Sequence, residues 1–176
     1  MQNNVLRTKK CRKTLGTRTQ PTKTNMIASV DVETLGLNAQ KFVMGCLWAE
    51  TWKKPKYFTK KEDLWNEIIR LGKSEHKRKK TLNLYAHNHA YDFYSYANLK
   101  DPNIKWFSHR PFINSYNYEN REIIKFLDSM SLYKMDLKSL GKTIKLPKME
   151  TPQELLQENT TITPWLIEKI KPYLGS

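Results

Sequence analysis

Two acidic residues, Asp31 and Glu33, interrupt the hydrophobic stretch Ile27-Ala28-Ser29-Val30-Asp31-Val32-Glu33-Thr34. The stretch predicts a buried β-strand, and side chains at positions i and i+2 of a strand point to the same face. Two carboxylates that project together from a buried strand repel each other and lose hydration. A hard divalent cation with oxygen ligands removes that cost, so the pair indicates a metal site. A metal beside carboxylates on a basic protein favours phosphodiester chemistry.

A second polar pair, Asn88 and Asp92, follows in Leu84-Tyr85-Ala86-His87-Asn88-His89-Ala90-Tyr91-Asp92-Phe93. Residues 81–86 predict another strand, which places Asn88 at its end and Asp92 about one turn into the next helix. One interpretation is capping, with Asn88 as the N-cap and Asp92 near the positive helix terminus. The other is a functional site, because a helix start beside a strand end is also where an active site can lie.

The bulk composition narrows the functional class. The chain has 176 residues, 39% of them hydrophobic, which fits one domain with a core. Its net charge of +14 favours a polyanionic partner, with nucleic acid as the first candidate. Cys11 and Cys46 form no disulfide framework, and no apolar run approaches the ~20 residues of a membrane span. With no signal peptide visible, we expect an intracellular protein, in the cytoplasm or in a host cell, with no membrane partner.

Residues 1–25 differ in composition from the rest of the chain. They contain seven Lys or Arg residues and no acidic residue, which predicts a flexible basic arm. Three interpretations stay open: a nucleic-acid-binding tail, a mitochondrial transit segment, and a terminus without a role. The folded domain is predicted to occupy residues 26–176.

The order of predicted elements indicates the fold class. Strands are predicted at 26–34, 41–50, 56–59 and 81–86, a hairpin at 112–118 and 122–127, and helices at 61–71, about 89–99 and 136–144. Residues 73–80 are predicted as a charged loop, and Pro152 and Pro164 each stand near an expected helix start. Strands that are followed by a crossover helix and a further strand favour a mixed α/β sheet with helices packed on it.

A third segment, Phe126-Leu127-Asp128-Ser129-Met130-Ser131-Leu132, predicts a strand that leads into a loop. The Asp-x-Glu-Thr strand, the His-Asn-x3-Asp segment and this Leu-Asp-Ser segment, in that order, resemble the 3′–5′ exonuclease domain of family B DNA polymerases. The most similar branch is the protein-primed one of linear plasmids and viruses. The resemblance covers roughly residues 26–176 and implies a ribonuclease-H-like mixed α/β sheet flanked by helices.

The resemblance also implies roles for individual residues. Asp31, Glu33 and Asp92 would hold two Mg²⁺ or Mn²⁺ ions for phosphodiester hydrolysis, and Lys148 would assist catalysis. The expected contacts to single-stranded DNA are Thr34, Asn88, Tyr91 and Ser129, while His87 is expected to contact DNA or a partner. The implied activity is proofreading at DNA 3′ ends during viral or plasmid DNA replication. A polymerase domain or a terminal protein is the further partner that this role implies.

The sequence departs from the resembled pattern at its last helix. The family supplies a fourth carboxylate from a Tyr-x3-Asp motif, whereas here Tyr173-Leu174-Gly175-Ser176 ends the sequence. We expect a fragment whose aspartate follows Ser176, with Glu168 as the candidate substitute. The alternative is a catalytically weak module of the same fold that binds single-stranded nucleic acid. An exonuclease that acts on RNA also stays open, because no residue identifies a reader of the 2′-hydroxyl.

Overall fold

The structure is a computed structural model that describes residues 25–35, 41–106, 112–143, 145, 152–157 and 160–174. The strands are β1 (Met26–Leu35), β2 (Lys41–Ala49), β3 (Lys56–Phe58), β4 (Leu82–Ala86), β5 (Ile104–Trp106), β6 (Phe112–Tyr118) and β7 (Arg121–Asp128). The helices are α1 (Lys61–Lys77), α2 (His89–Tyr96), α3 (Ser129–Tyr133), α4 (Leu137–Thr143) and α5 (Pro164–Ile170). Short 3₁₀ turns occupy Gln153–Leu156 and Lys171–Tyr173. Residues 1–24 of the predicted basic arm lie outside the described residues, as does Lys148.

The described strands form one mixed sheet in the order β3-β2-β1-β4-β7-β6-β5. The three central strands β1, β4 and β7 run parallel, and the flanking strands pair antiparallel. The parallel neighbours β1 and β4 are joined by a long crossover that contains β2, β3 and α1. The predicted fold class is confirmed: the protein has an α/β fold with a mixed sheet flanked by helices, consistent with the ribonuclease-H-like arrangement.

One face of the sheet, which we call the core face, packs under α1 and α2. Alternate residues of β1, among them Ala28 and Val30, join the main hydrophobic cluster on this face. Trp65 of α1 lies at its centre and stacks on Phe126 of β7, with ring centroids 6.1 Å apart. Burial of such large rings supplies much of the driving force for folding.

The opposite face, which we call the second face, is covered in part by the C-terminal segment. Leu166 and Ile170 of α5 form a smaller buried cluster with Leu35 of β1 and Cys46 of β2. Because strand side chains alternate, Asp31 belongs to the same face as Leu35. The last described helix therefore packs beside the strand that carries the acidic pair.

The first helix is longer than the sequence predicted. The prediction ended it at Leu71, but α1 continues to Lys77, so the loop predicted over 73–80 is wrong over 73–77. Gly72 does not end the helix; it allows close packing, since a Cβ there would lie 2.5 Å from Cγ1 of Ile124. Glu75 extends the helix because its buried carboxylate pairs with Arg78, with 3.1 Å between Oε1 and Nη1.

Several shorter elements also differ from prediction. The second helix ends at Tyr96 rather than near Leu99, and the segment after Asp128 forms α3 rather than a loop. Strand β5, of three residues, was not predicted. The helix start expected at Pro152 is a 3₁₀ turn, and the helix that begins at Pro164 becomes 3₁₀ after Ile170.

Candidate active site

The three segments singled out in the sequence leave the sheet at the same edge. Ser29 of β1 is in register with Tyr85 of β4, and Ala86 of β4 with Asp128 of β7, in parallel ladders. The functional candidates follow these pairs at the carboxyl ends of the strands. In open α/β sheets this edge is where ligands bind.

A side-chain hydrogen bond joins the first segment to the second. The hydroxyl oxygens of Thr34 and Tyr91 lie 3.0 Å apart, although 57 positions separate the two residues in the sequence. Thr34 follows Val32 by two positions and so belongs to the core face, where α2 packs. The structure thus brings together two of the predicted DNA contacts.

His87 and Ser129 join the second segment to the third. The Ser129 hydroxyl donates to the carbonyl oxygen of Ala86 at 3.2 Å, so its oxygen accepts from Nδ1–H of His87, also at 3.2 Å. This geometry assigns the ring proton of His87 to Nδ1. The Nε2 atom of His87 is buried and has no hydrogen-bond partner among the described residues. A second pair of predicted DNA contacts is therefore also adjacent.

Asn88 stands at the turn between β4 and α2 in a left-handed backbone conformation, with φ 61° and ψ 47°. Asparagine adopts this conformation more readily than most residues. Its position is that of the N-cap, but its side chain makes no capping hydrogen bond and is exposed. The capping interpretation is therefore wrong for the Asn88 side chain.

Asp128, which the sequence analysis did not single out as a site residue, holds the Asn88 turn in place. Its carboxylate is 4% exposed and accepts hydrogen bonds from the backbone N–H of Asn88 and of Met130, both at 3.0 Å, and from the Ser131 hydroxyl at 3.2 Å. It also caps α3. The signal in the sequence was an aspartate at a strand end before Ser-x-Ser, which is typical of an N-cap.

His89 is a structural residue that anchors α2 to β7. Its Nδ1–H donates to the carbonyl oxygen of Leu127 at 2.9 Å, and its Nε2 accepts from the Tyr96 hydroxyl at 2.7 Å. Complete burial lowers the pKa of His89 to about 4, against smaller opposing effects of the Leu127 hydrogen bond and of the Asp128 charge. The ring is therefore neutral at physiological pH, and both nitrogens are occupied.

The β1 carboxylates lie on the second face. Asp31 and Glu33 are half-buried opposite Cys46 and Met44 of β2. Burial, and then the charge of Asp31, raise the pKa of the Cys46 thiol to about 12, so this cysteine stays a protonated core residue. A hydrophobic cluster that includes Met44 and Cys46 thus borders the acidic pair.

Asp92 lies in the first turn of α2 and is only 7% exposed. Burial, and then the Asp92 charge, raise the pKa of Tyr96 well above the ordinary value. Helix α2 packs on the core face, whereas Asp31 and Glu33 lie on the second face. Asp92 could therefore share a ligand with them only at the carboxyl edge of the sheet.

Carboxylate oxygens are the ligands that Mg²⁺ and Mn²⁺ prefer, so the donor chemistry fits the predicted ions. Within the part of the chain that the structure describes, however, no three His, Cys, Asp or Glu side chains are grouped closely enough to hold a metal ion. Glu168, the candidate fourth ligand, pairs with Lys171 on the exposed side of α5. A shared metal site of Asp31, Glu33 and Asp92 therefore stays a prediction.

Comparison with known proteins agrees with the ribonuclease-H-like class of fold. A solved structure with this fold is that of Phi29 DNA polymerase complexed with single-stranded DNA, which superimposes with a TM-score of 0.54 at 17% sequence identity. The match covers 86% of the present chain and 29% of the polymerase chain. At this identity the likeness shows the fold. No protein-family model and no curated protein matches the sequence.

The described helices also bear on membrane association. None of them is both long enough and apolar enough to cross a bilayer.

Proposed function

We propose that the chain is the 3′–5′ exonuclease domain of a family B DNA polymerase that acts on single-stranded DNA 3′ ends. The observation that carries the proposal is the meeting of the three segments at one sheet edge, through the Thr34–Tyr91 and His87–Ser129 hydrogen bonds. The likeness in fold to part of a polymerase that was solved in complex with single-stranded DNA supports it. Viral or plasmid replication, with a polymerase domain or a terminal protein as partner, belongs to the same proposal.

The residues around the Asn88 turn would hold the terminal nucleotides. The Tyr91 ring is partly exposed and offers a stacking surface, while its hydroxyl is fixed by Thr34. The exposed amide of Asn88 can donate and accept hydrogen bonds at a sugar or phosphate. His87 and Ser129 would position the backbone beside this turn.

Asp31, Glu33 and Asp92 would hold Mg²⁺ or Mn²⁺, and Lys148 would assist catalysis. Such ions supply an activated water and stabilise the charge on the leaving oxygen. The chain's own contribution would be these carboxylates, brought to the sheet edge at which the predicted DNA contacts lie. Its net charge of +14 would draw a polyanionic strand toward that edge.

The test is release of nucleotides from a 3′-labelled single-stranded oligonucleotide in Mn²⁺. We expect Asp31→Asn and Asp92→Asn each to reduce the rate by at least about 100-fold, as expected when a group that stabilises transition-state charge is removed. The matched control is Asp63→Asn, an exposed acid at the start of α1, which should retain the parent rate. An equal decrease in all three variants, or no decrease in any, would contradict the assignment.

A second candidate is a module of the same fold that binds single-stranded nucleic acid without cutting it. The absence of a three-ligand cluster from the described residues favours this candidate. It predicts tight binding in EDTA and no Mn²⁺-dependent release of nucleotides by the parent chain. The exonuclease proposal predicts Mn²⁺-dependent cutting at least when the chain is extended by an Asp after Ser176 that restores the Tyr-x3-Asp spacing of the resembled family. Assays of the parent and the extended chain, with and without Mn²⁺, therefore separate the two candidates.

A further inference from the structure

Two large aromatic side chains lie exposed beside each other, away from the carboxylates. Tyr94 of α2 is 54% exposed and Trp106 of β5 is 53% exposed. Their rings are nearly parallel, with 25° between the planes and 6.0 Å between the centroids. Contact of so much apolar ring surface with water is unfavourable. Adjacent exposed rings of this kind are common where a protein binds an aromatic ligand.

The pair is held in place from below. Phe93, which is fully buried, meets both rings edge-on, at 6.5 Å from Tyr94 and 5.9 Å from Trp106. Phe93 in turn packs on Phe126 of the central sheet at 4.9 Å. Because the core fixes the two rings before any ligand arrives, binding to them loses little side-chain entropy.

The surroundings of Tyr94 favour a nucleic acid as the ligand. Tyr94 lines an open pocket of about 530 Å³ together with Lys61, Lys100, Asn66 and Asn98. The two exposed lysines can meet phosphates, and the asparagines offer the donors and acceptors that base edges use. Aromatic rings interleaved with cations are typical of surfaces that bind single strands.

The pair also continues from the candidate active site. Tyr91, which bonds Thr34, and Tyr94 are three positions apart on α2, so they are neighbours on its surface with about 4.5 Å of rise between them. Tyr91, Tyr94 and Trp106 therefore form a partly exposed aromatic row that begins at the carboxyl edge of the sheet.

We propose that Tyr94 and Trp106, with Lys61 and Lys100, form a stacking platform for unpaired bases of the strand whose 3′ end occupies the candidate active site. The direction in which the nucleic acid would cross the platform rests on the proposed function. The platform would bind nucleotides upstream of the terminal ones, and it would thereby make affinity depend on strand length.

The experiment compares a trinucleotide, which fills the carboxyl edge alone, with a longer oligothymidylate, both in EDTA. The double variant Tyr94→Leu/Trp106→Leu should bind the longer strand at least about tenfold more weakly, since each stacked base contributes a factor of that order. Its affinity for the trinucleotide should stay at the parent value. Tyr94→Phe/Trp106→Phe keeps both rings and should retain most of the affinity for the longer strand.

The matched control is Trp165→Leu on α5. Trp165 is an exposed tryptophan (64%) with the ammonium of Lys169 4.9 Å from its ring centroid. This variant should bind both probes as the parent does. A longer-strand affinity that is equal in the double leucine variant and the Trp165 control would overturn the platform and leave the pair as a protein-binding surface. Thermal unfolding of each variant shows whether a weaker affinity reflects an unfolded chain, and the lysine variant described next decides the matter if leucine unfolds the chain.

The lysines provide a second measurement. Lys61→Gln/Lys100→Gln should lower the slope of log affinity against log salt for the longer strand by up to about 0.7 for each phosphate contact that the substitutions remove. The slope for the trinucleotide should not change. Failure of the parent chain to bind either probe would refute the proposed function, whereas trinucleotide binding without a platform effect would refute the platform alone.

Discussion

At the level of single residues, the buried ring of His89 makes stability depend on pH. Its pKa is lowered from 6.5 to about 4 by burial, so between these values the unfolded chain binds the proton more readily than the folded one. The contribution of the neutral ring to stability is complete above about pH 6.5 and is lost as the pH falls toward 4, at up to about 1.4 kcal/mol per pH unit.

We expect the free energy of unfolding, measured in urea, to decrease across this pH range in the parent chain. His89→Gln should lower stability at pH 7 and also flatten the pH slope, because the titrating ring is gone. Tyr96→Phe removes a hydrogen bond to Nε2 but keeps the buried ring, so it should lower stability and retain the slope. Parallel slopes in the parent and in His89→Gln would show that other groups cause the pH dependence.

Single residues also show how far sequence reasoning reaches. Thr34, His87, Asn88, Tyr91 and Ser129 were predicted to contact DNA. The structure joins Thr34 to Tyr91 and His87 to Ser129 by hydrogen bonds, while their contact with DNA stays a prediction. Asp128 was missed as a site residue because its carboxylate accepts a hydrogen bond from the backbone of Asn88, 40 positions away in the sequence. No local sequence pattern encodes such a contact.

At the level of elements, α1 depends on the missing side chain of Gly72. A Cβ at this position would lie 2.5 Å and 2.7 Å from two carbons of Ile124. We expect Gly72→Ala to destabilise the protein by roughly 1–3 kcal/mol through overpacking, although alanine favours the helix itself by up to ~1 kcal/mol. Ser74→Ala, two positions along the same helix, should change stability little. The measurement is chemical unfolding of both variants, and a stabilised Gly72→Ala would show that β7 can shift to accept the methyl group.

The elements predicted best are those with a strong repeating pattern. Strands β1, β2, β4 and β7 lie within one or two residues of their predicted bounds because alternation marks them. The three-residue β5 gives no such signal, and the end of α1 was misplaced because Gly72 and the charges after it favour a loop. The end of α1 is decided by the packing of Gly72 against Ile124 of β7, a contact between distant parts of the chain, and by the local pairing of the buried Glu75 with Arg78 three residues later.

At the level of the whole molecule, the net charge of +14 predicts how the proposed binding of DNA responds to salt. We expect affinity for single strands to fall steeply as salt rises, with a slope of roughly 0.7 for each phosphate contact. Deleting residues 1–24 removes seven cations and no acid, so the slope should flatten if the arm binds DNA. A same-length chain with these seven residues changed to Gln is the matched control. An unchanged slope in both would assign the arm no part in binding.

At this level the sequence predicted the class of fold but not the geometry of the proposed metal site. The alternation of strands and helices predicted a mixed α/β sheet with helices packed on it, but not the order of its strands, which depends on contacts between distant parts of the chain. Whether Asp92 reaches Asp31 and Glu33 depends on how α2 is placed at that edge, to within a fraction of an ångström for an ion. Sequence spacing fixes which element carries a carboxylate, not that distance.

The position of β4 has a consequence for how the chain folds during synthesis. Its neighbours are β1, which is made earlier, and β7, which is made later. Until β7 emerges from the ribosome, β4 is an edge strand whose backbone donors and acceptors are unpaired on one side, and such edges invite pairing with other chains. The Asn88 turn also lacks its Asp128 anchor until then. A nascent chain that stalls before residue 121 should therefore be prone to aggregation, and the proposed nucleic-acid site should form late in folding, only once the last parallel strand has closed the centre of the sheet.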